Sequence, residues 1–390
     1  MNFDEIIERR GTHSAKWDNM ETYSGVSPDG GIPMWVADMD FRPPQKVLDA
    51  MRAYVDHGVF GYFGGDQDYL ESIRWWAETR HGWQIQPEWI FSTHGLVNGA
   101  ALCLHSWTQP GDGIILFTPV YHAFHRVIAA AGREVVQFQL TESDGRYAMD
   151  FDAYEKQLTG REKMVLLCSP HNPGGRCWTA EELRQLGAFC EKHDLMIVSD
   201  EIHCDLVMPG HKHLPFAVAA PELAHRTVMM TAATKTFNLA GGHTGNVIIA
   251  DPKLRATFEA TMAGLGLSPN AFGKHLTTAA YSPEGADWVD ALCAYLDGNR
   301  RIFDEGIAEI PGLRSMPLEA TYLAWVDFSG TGMDRDEIMR RVAEEAKIAV
   351  NQGPAFGQGG DMFNRFNFAT PRVHVVEAVK RLKTAFADLQ

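Results

Sequence analysis

Lys235 stands shortly after the apolar run Thr227–Thr231, in Ala232-Ala233-Thr234-Lys235-Thr236-Phe237-Asn238. An amine among apolar neighbours loses its proton more readily and becomes a nucleophile. A lone lysine at such a place usually lies along the surface with its charge in water. Other groups at corresponding places change that balance. Asp200 closes the run Leu195–Asp200 and opens Asp200-Glu201-Ile202-His203. An acid there is costly to bury without a cationic partner. Asn172 lies in Pro170-His171-Asn172-Pro173-Gly174-Gly175, after Met164–Ser169, where the residue types demand a tight turn. The stretch His94-Gly95-Leu96-Val97-Asn98-Gly99-Ala100 follows Trp89–Thr93 and turns into a helix. Free N–H groups at such a helix start suit an anion. Tyr121, in Pro119-Val120-Tyr121, offers an aromatic face.

Taken together, the groups suit one cofactor. Pyridoxal 5'-phosphate needs a lysine for its aldehyde and a carboxylate for its ring nitrogen. Lys235 and Asp200 supply these. Gly95, Leu96 and Val97, with Thr234, are expected to hold the phosphate, and Tyr121 to stack on the ring.

Seven apolar runs must position these residues: Trp89–Thr93, Gly113–Val120, Glu134–Leu140, Met164–Ser169, Leu195–Asp200, Thr227–Thr231 and Asn246–Ala250. Most lack strict alternation, as strands buried on both faces do. Helix-like stretches separate several of them. One is Thr179–His193, opened by a Thr179/Glu182 capping box. Strand and helix in series predict an α/β fold with a mostly parallel sheet. Ligands of such sheets bind beyond the carboxyl ends of the strands. The ends of the chain read as α+β, with a helix over Asp287–Ala308, a strand over Thr321–Phe328, and helices over Asp334–Lys347 and Val373–Leu389. A large domain is expected at 45–285, and a smaller one built from 1–44 and 286–390.

The 390 residues carry a net charge of −15, which disfavours nucleic acid and anionic membranes as partners. Apolar residues at 45% and charged residues at 22% exclude a disordered chain. No apolar run reaches the roughly 18 residues that span a bilayer. Met1–Arg10 has no apolar stretch of the signal-peptide kind. Six scattered cysteines with no CxxC pair imply reduced thiols and a cytoplasmic location. His203, His211 and His213 are too loop-like in spacing to predict a metal site, so no metal is expected.

The sequence resembles the fold-type I pyridoxal phosphate enzymes of the class I/II aminotransferase superfamily. Within it, the resemblance is to the MalY/PatB family of cystathionine β-lyase-like C–S lyases. It is carried by Met34-Trp35-Val36-Ala37-Asp38-Met39-Asp40-Phe41, Phe60-Gly61-Tyr62, His171-Asn172-Pro173, Asp200 to Leu206, Lys235 to Gly241 and Arg365-Phe366-Asn367-Phe368-Ala369. The resemblance implies Lys235 as the Schiff-base lysine and Asp200 as the ring-nitrogen partner. Asn172 would bond the cofactor's phenolic oxygen, and His203 replaces a Tyr that many aminotransferases use for that task. Tyr62 would reach the phosphate of the neighbouring subunit in a homodimer. Arg365 would clamp the substrate carboxylate, opposite the backbone around Ala37. Two departures stand out. His243 replaces a phosphate-binding Arg, and Ala232 replaces a Ser, leaving Thr234 or Thr231 to supply the hydroxyl.

The activity implied is β-elimination from a β-thio amino acid, giving thiol, pyruvate and ammonia. The alternative is an aminotransferase moving an amino group between an amino acid and a 2-oxo acid. A dicarboxylic substrate would then need a second cation, such as Arg126 or a residue of a partner subunit.

Overall fold

The computed structural model describes residues 1–143, 145–268 and 270–389. Seven strands form its main sheet: β1 (Ile90–Thr93), β2 (Gly113–Thr118), β3 (Glu134–Gln139), β4 (Glu162–Cys168), β5 (Met196–Asp200), β6 (Thr227–Thr231) and β7 (Gly245–Ile248). Their order is β1-β7-β6-β5-β4-β2-β3. Only β7 opposes the rest, pairing antiparallel with β6 and β1. The other pairings are parallel.

Every residue of β2 is buried, which explains its unbroken apolar run. Ile114 and Leu116 face one core with Leu104, Phe124 and Val198, while Ile115 and Phe117 face the other with Phe138, Val165 and Ile197. The strand ends at Thr118 rather than Val120, because Pro119 has no N–H for the ladder. β4 likewise stops before the Ser169-Pro170 pair.

Helix α1 (Leu96–Trp107) follows β1, α2 (His122–Ala130) follows β2, and α3 (Ala180–Lys192) follows β4. The capping box at α3 is formed: Thr179 Oγ1 accepts the Glu182 N–H at 3.2 Å, and Glu182 Oε2 accepts the Thr179 N–H at 2.8 Å. After β6 a single turn, α4 (Ala233–Thr236), carries Lys235.

Toward the carboxyl end, a 26-residue helix α5 (Pro283–Ala308) precedes a four-stranded antiparallel sheet. Its strands β8 (Arg314–Ser315), β9 (Leu323–Asp327), β10 (Asn351–Gln352) and β11 (Phe363–Asn367) take the order β8-β9-β11-β10. The helix expected at Asp334–Lys347 is α-helical only over Arg335–Met339 and continues as a wider π turn over Arg340–Glu345. Helix α6 (Arg372–Ala385) packs on α5. Ile32–Pro33 pairs in parallel with Ile348–Ala349, tying the amino-terminal segment to this region.

Candidate active site

Because β1, β2, β4, β5 and β6 run in one direction, the residues following them gather at one sheet edge. They line a cavity of about 370 Å³. Gly95, Leu96, Val97, Tyr121, Asn172, Asp200, His203, Thr234 and Lys235 all border it, as do Ala37 and His243. Tyr62 and Arg365 do not line it.

Lys235 Nζ donates to the Ala37 carbonyl at 2.6 Å. That oxygen also accepts the buried Tyr322 hydroxyl at 2.9 Å. Burial pulls the Lys235 ammonium down to about 8, so the amine is within reach of neutral pH. The segment around Ala37 is pinned from several sides. Asn238 accepts the Met39 N–H at 2.9 Å and donates to the Met39 and Phe41 carbonyls. Asn367 donates to the Val36 and Asp38 carbonyls at 2.6 Å. Buried Lys16 holds Asp40 at 2.7 Å, and Arg9 bridges Asp38 and Asp40.

Asp200 is buried at the end of β5, and one oxygen accepts the Ile202 N–H at 3.1 Å. Burial pushes its carboxyl up to about 7. Among the described residues no cation bonds to it. His203 is buried with Nδ1 lacking a partner, and burial holds its imidazole well below the usual range. Gly95 takes a φ of +89°, a turn suited to glycine, and no side chain caps α1. The first N–H groups of α1 therefore face the cavity uncapped.

Arg365, on β11, is almost fully buried behind Asn172. Its Nη1 donates to Asn172 Oδ1 at 3.0 Å, and its Nη2 to the Trp35 carbonyl at 3.0 Å and Asn351 Oδ1 at 2.5 Å. Nε has no partner. The guanidinium lies 5.0 Å from the Phe356 ring centre, and burial lowers its pKa to about 10.

Thr234 borders the cavity, whereas Thr231 lines a separate small pocket and accepts a bond from Asn246. The hydroxyl beside the lysine is thus Thr234. Tyr62 is fully exposed and is not among the residues lining its own chain's cavity. Sequence reasoning missed His94, Cys168, Ile202 and Ala240 on the cavity wall. Ile202, two residues past Asp200, had a readable signal in that spacing. The histidines considered for a metal are split: His203 borders this cavity, while His211 and His213 line another one with His81. Among the described residues, His81, Cys204 and Asp205 converge, but Asp205 is already bonded by Trp76, His81 and Thr236.

Pyridoxal phosphate fits this set. The unpaired buried Asp200 suits a ring N–H, the uncapped start of α1 suits a phosphate, and the orphaned His203 Nδ1 suits a ring oxygen. A mostly parallel sheet with these groups beyond its strand ends defines a fold-type I pyridoxal phosphate enzyme. Residues 32–382 match the family described as Aminotransferase class I and II, and the chain belongs to that family. It is 38% identical to cystathionine beta-lyase PatB of Bacillus subtilis, over 99% of this chain and 100% of that protein. The crystal structure of cystalysin from Treponema denticola, containing pyridoxal 5'-phosphate, superposes with a TM-score of 0.94 at 36% identity, covering 100% of this chain and 99% of that one. The pyridoxal phosphate-bound C–S lyase from Staphylococcus hominis gives 0.91 at 30% identity, covering 99% and 98%.

Proposed function

We propose that this chain is a pyridoxal phosphate-dependent carbon–sulfur β-lyase. It cleaves a β-thio amino acid to a thiol, pyruvate and ammonia. The observation that carries the reading is Lys235, an amine of lowered basicity held on the Ala37 carbonyl in one cavity with Asp200 and Asn172. The full-length likeness to PatB, a cystathionine β-lyase by name, supports elimination as the outcome.

Pyridoxal phosphate, when bound, draws electrons from the α-carbon of an attached amino acid. The chain's residues do the rest. Backbone N–H groups of Gly95, Leu96 and Val97 and the Thr234 hydroxyl would hold the phosphate. Tyr121 and Ile202 would flank the cofactor ring, Asp200 would pair with its ring nitrogen, and Asn172 and His203 would bond its phenolic oxygen. The resemblance assigns the substrate α-carboxylate to Arg365, whose Nε–H is the guanidinium donor without a partner. Lys235 Nζ, positioned by the Ala37 carbonyl, would take the substrate's α-proton. A thiolate would depart from Cβ and accept a proton from the Lys235 ammonium, and the 2-aminoacrylate left behind, once released, tautomerises to the imine and is hydrolysed by one water to pyruvate and ammonia.

Tyr62 serves the cofactor of a second copy in a homodimer. Its full exposure supports this, as does the apolar patch around it, where exposed Val59, Phe60 and Phe272 lie close by. The division into a large domain at 45–285 and a small one from both termini is supported by the confinement of the main sheet to 90–248 and the pairing of Ile32–Pro33 with Ile348–Ala349. No described helix is long and apolar enough to cross a membrane. Six unpaired cysteines support a reducing, cytoplasmic location.

The test is to supply cystathionine or an S-alkylcysteine with and without a 2-oxo acid. Stoichiometric thiol, pyruvate and ammonia without an acceptor are expected. Acceptor-dependent turnover with sulfur retained in the product would make the protein an aminotransferase instead.

A further inference from the structure

Arg126 borders the cavity with Lys235 and Asp200, yet the chemistry above leaves it without a task. It projects from α2, the helix that begins directly after Tyr121. Its side chain is exposed, and among the described residues it forms no hydrogen bond and no ion pair. Lys235 is bonded to the Ala37 carbonyl, and Arg365, bonded to Asn172, Trp35 and Asn351, is already assigned the α-carboxylate.

Among the described residues, no acidic side chain pairs with Arg126. Asp200 is the one carboxylate among the residues lining the cavity, and it lies at the ring-nitrogen position. His122, one helical turn before Arg126, brings no negative charge. Burial first, and then the charges of Arg365 and Arg126, hold its imidazole down to about 4, so it stays neutral. The same two guanidinium charges act on the Tyr121 hydroxyl. Arg126 thus lines the cavity on the helix that follows Tyr121, as a cation without a partner among the described residues, while the phosphate is assigned to Gly95, Leu96, Val97 and Thr234.

We propose that Arg126 is a specificity-determining residue that binds a carboxylate at the far end of the sulfur substituent, making β-thio amino acids with a second carboxylate the preferred substrate class. This rests on the lyase reading. A guanidinium pairs with a carboxylate through two parallel N–H bonds, which an uncharged alkyl tail cannot accept. Because the side chain is exposed, the preference is moderate and is weakened by salt.

The test uses holoenzyme and two thioethers of similar size, S-(2-carboxyethyl)cysteine and S-propylcysteine. Wild type should favour the carboxylate by about tenfold in kcat/KM, chiefly through KM, and less at high salt. Arg126→Gln should bring the ratio near one, and Arg126→Lys should restore part of it. Equal use of both thioethers by wild type, with pyruvate formed from each, overturns the Arg126 assignment and leaves the lyase reading standing. No pyruvate from either overturns the lyase reading itself. Loss of pyridoxal phosphate affinity in Arg126→Gln, read by spectral titration, would place Arg126 on the phosphate and reject the proposal.

Discussion

Asn172 and Arg365 are joined by a 3.0 Å hydrogen bond, Nη1 donating to Oδ1. The residues proposed to serve the cofactor ring and the substrate carboxylate are thus joined in one unit. Arg365 is buried, so its alignment depends on these partners rather than on water.

Asn172→Ala should therefore damage two functions at once. Cofactor affinity and amino-acid KM should each worsen by about tenfold, as for the loss of a bond to a charged group. Spectral titration and steady-state kinetics on one preparation check this. A change in cofactor affinity alone would separate the two residues.

Asp200 makes the cofactor-free protein sensitive to pH. Burial pushes its carboxyl up to about 7, above the unfolded value near 4. Between those values the folded state binds more protons than the unfolded state. Stability from this group therefore falls as pH rises from about 4 to about 7, then levels. Asp200→Asn removes the buried charge. Cofactor-free Asp200→Asn should melt with cofactor-free wild type near pH 4 and above it at pH 8. Equal melting temperatures at pH 8 would show that the carboxylate is not a burden in the free protein.

Lys235 has the opposite shift. Burial lowers its ammonium to about 8, so the free amine predominates above that pH. Capture of pyridoxal phosphate by cofactor-free protein should speed up as pH rises and level off just above 8. A rate still climbing toward pH 10.5, the ordinary lysine range, would contradict a desolvated amine.

Tyr62 and Lys235 belong to different sites within one chain if the dimer is shared. Mixing Tyr62→Phe with Lys235→Ala subunits should then restore some activity through sites intact at both positions. No recovery in demonstrably exchanged heterodimers would count against sharing.

The strand ends were legible because a run buried on both faces must be apolar, so a polar residue at its edge marks the crevice. Asp200 and Lys235 were read in this way. The break at Pro119 is written in the sequence, yet the apolar run Gly113–Val120 extends past it. The roof over Lys235 was not legible from local pattern. It is built from Trp35 to Phe41 and held by Asn238, Asn367 and Arg365, partners far apart along the chain. No periodicity encodes such pairings, and only the resemblance pointed to Ala37. Ile202 escaped notice because the search favoured polar groups, while a ring also needs an apolar face. The π turn at Arg340–Glu345 departs from the helix the residue pattern predicts, and nothing local marks the switch.

The account depends most on Lys235 carrying the cofactor. Holoenzyme reduced with borohydride and digested should yield a single phosphopyridoxyl peptide, the one containing Lys235. The modification on any other lysine, or none in cofactor-loaded protein, would contradict the account.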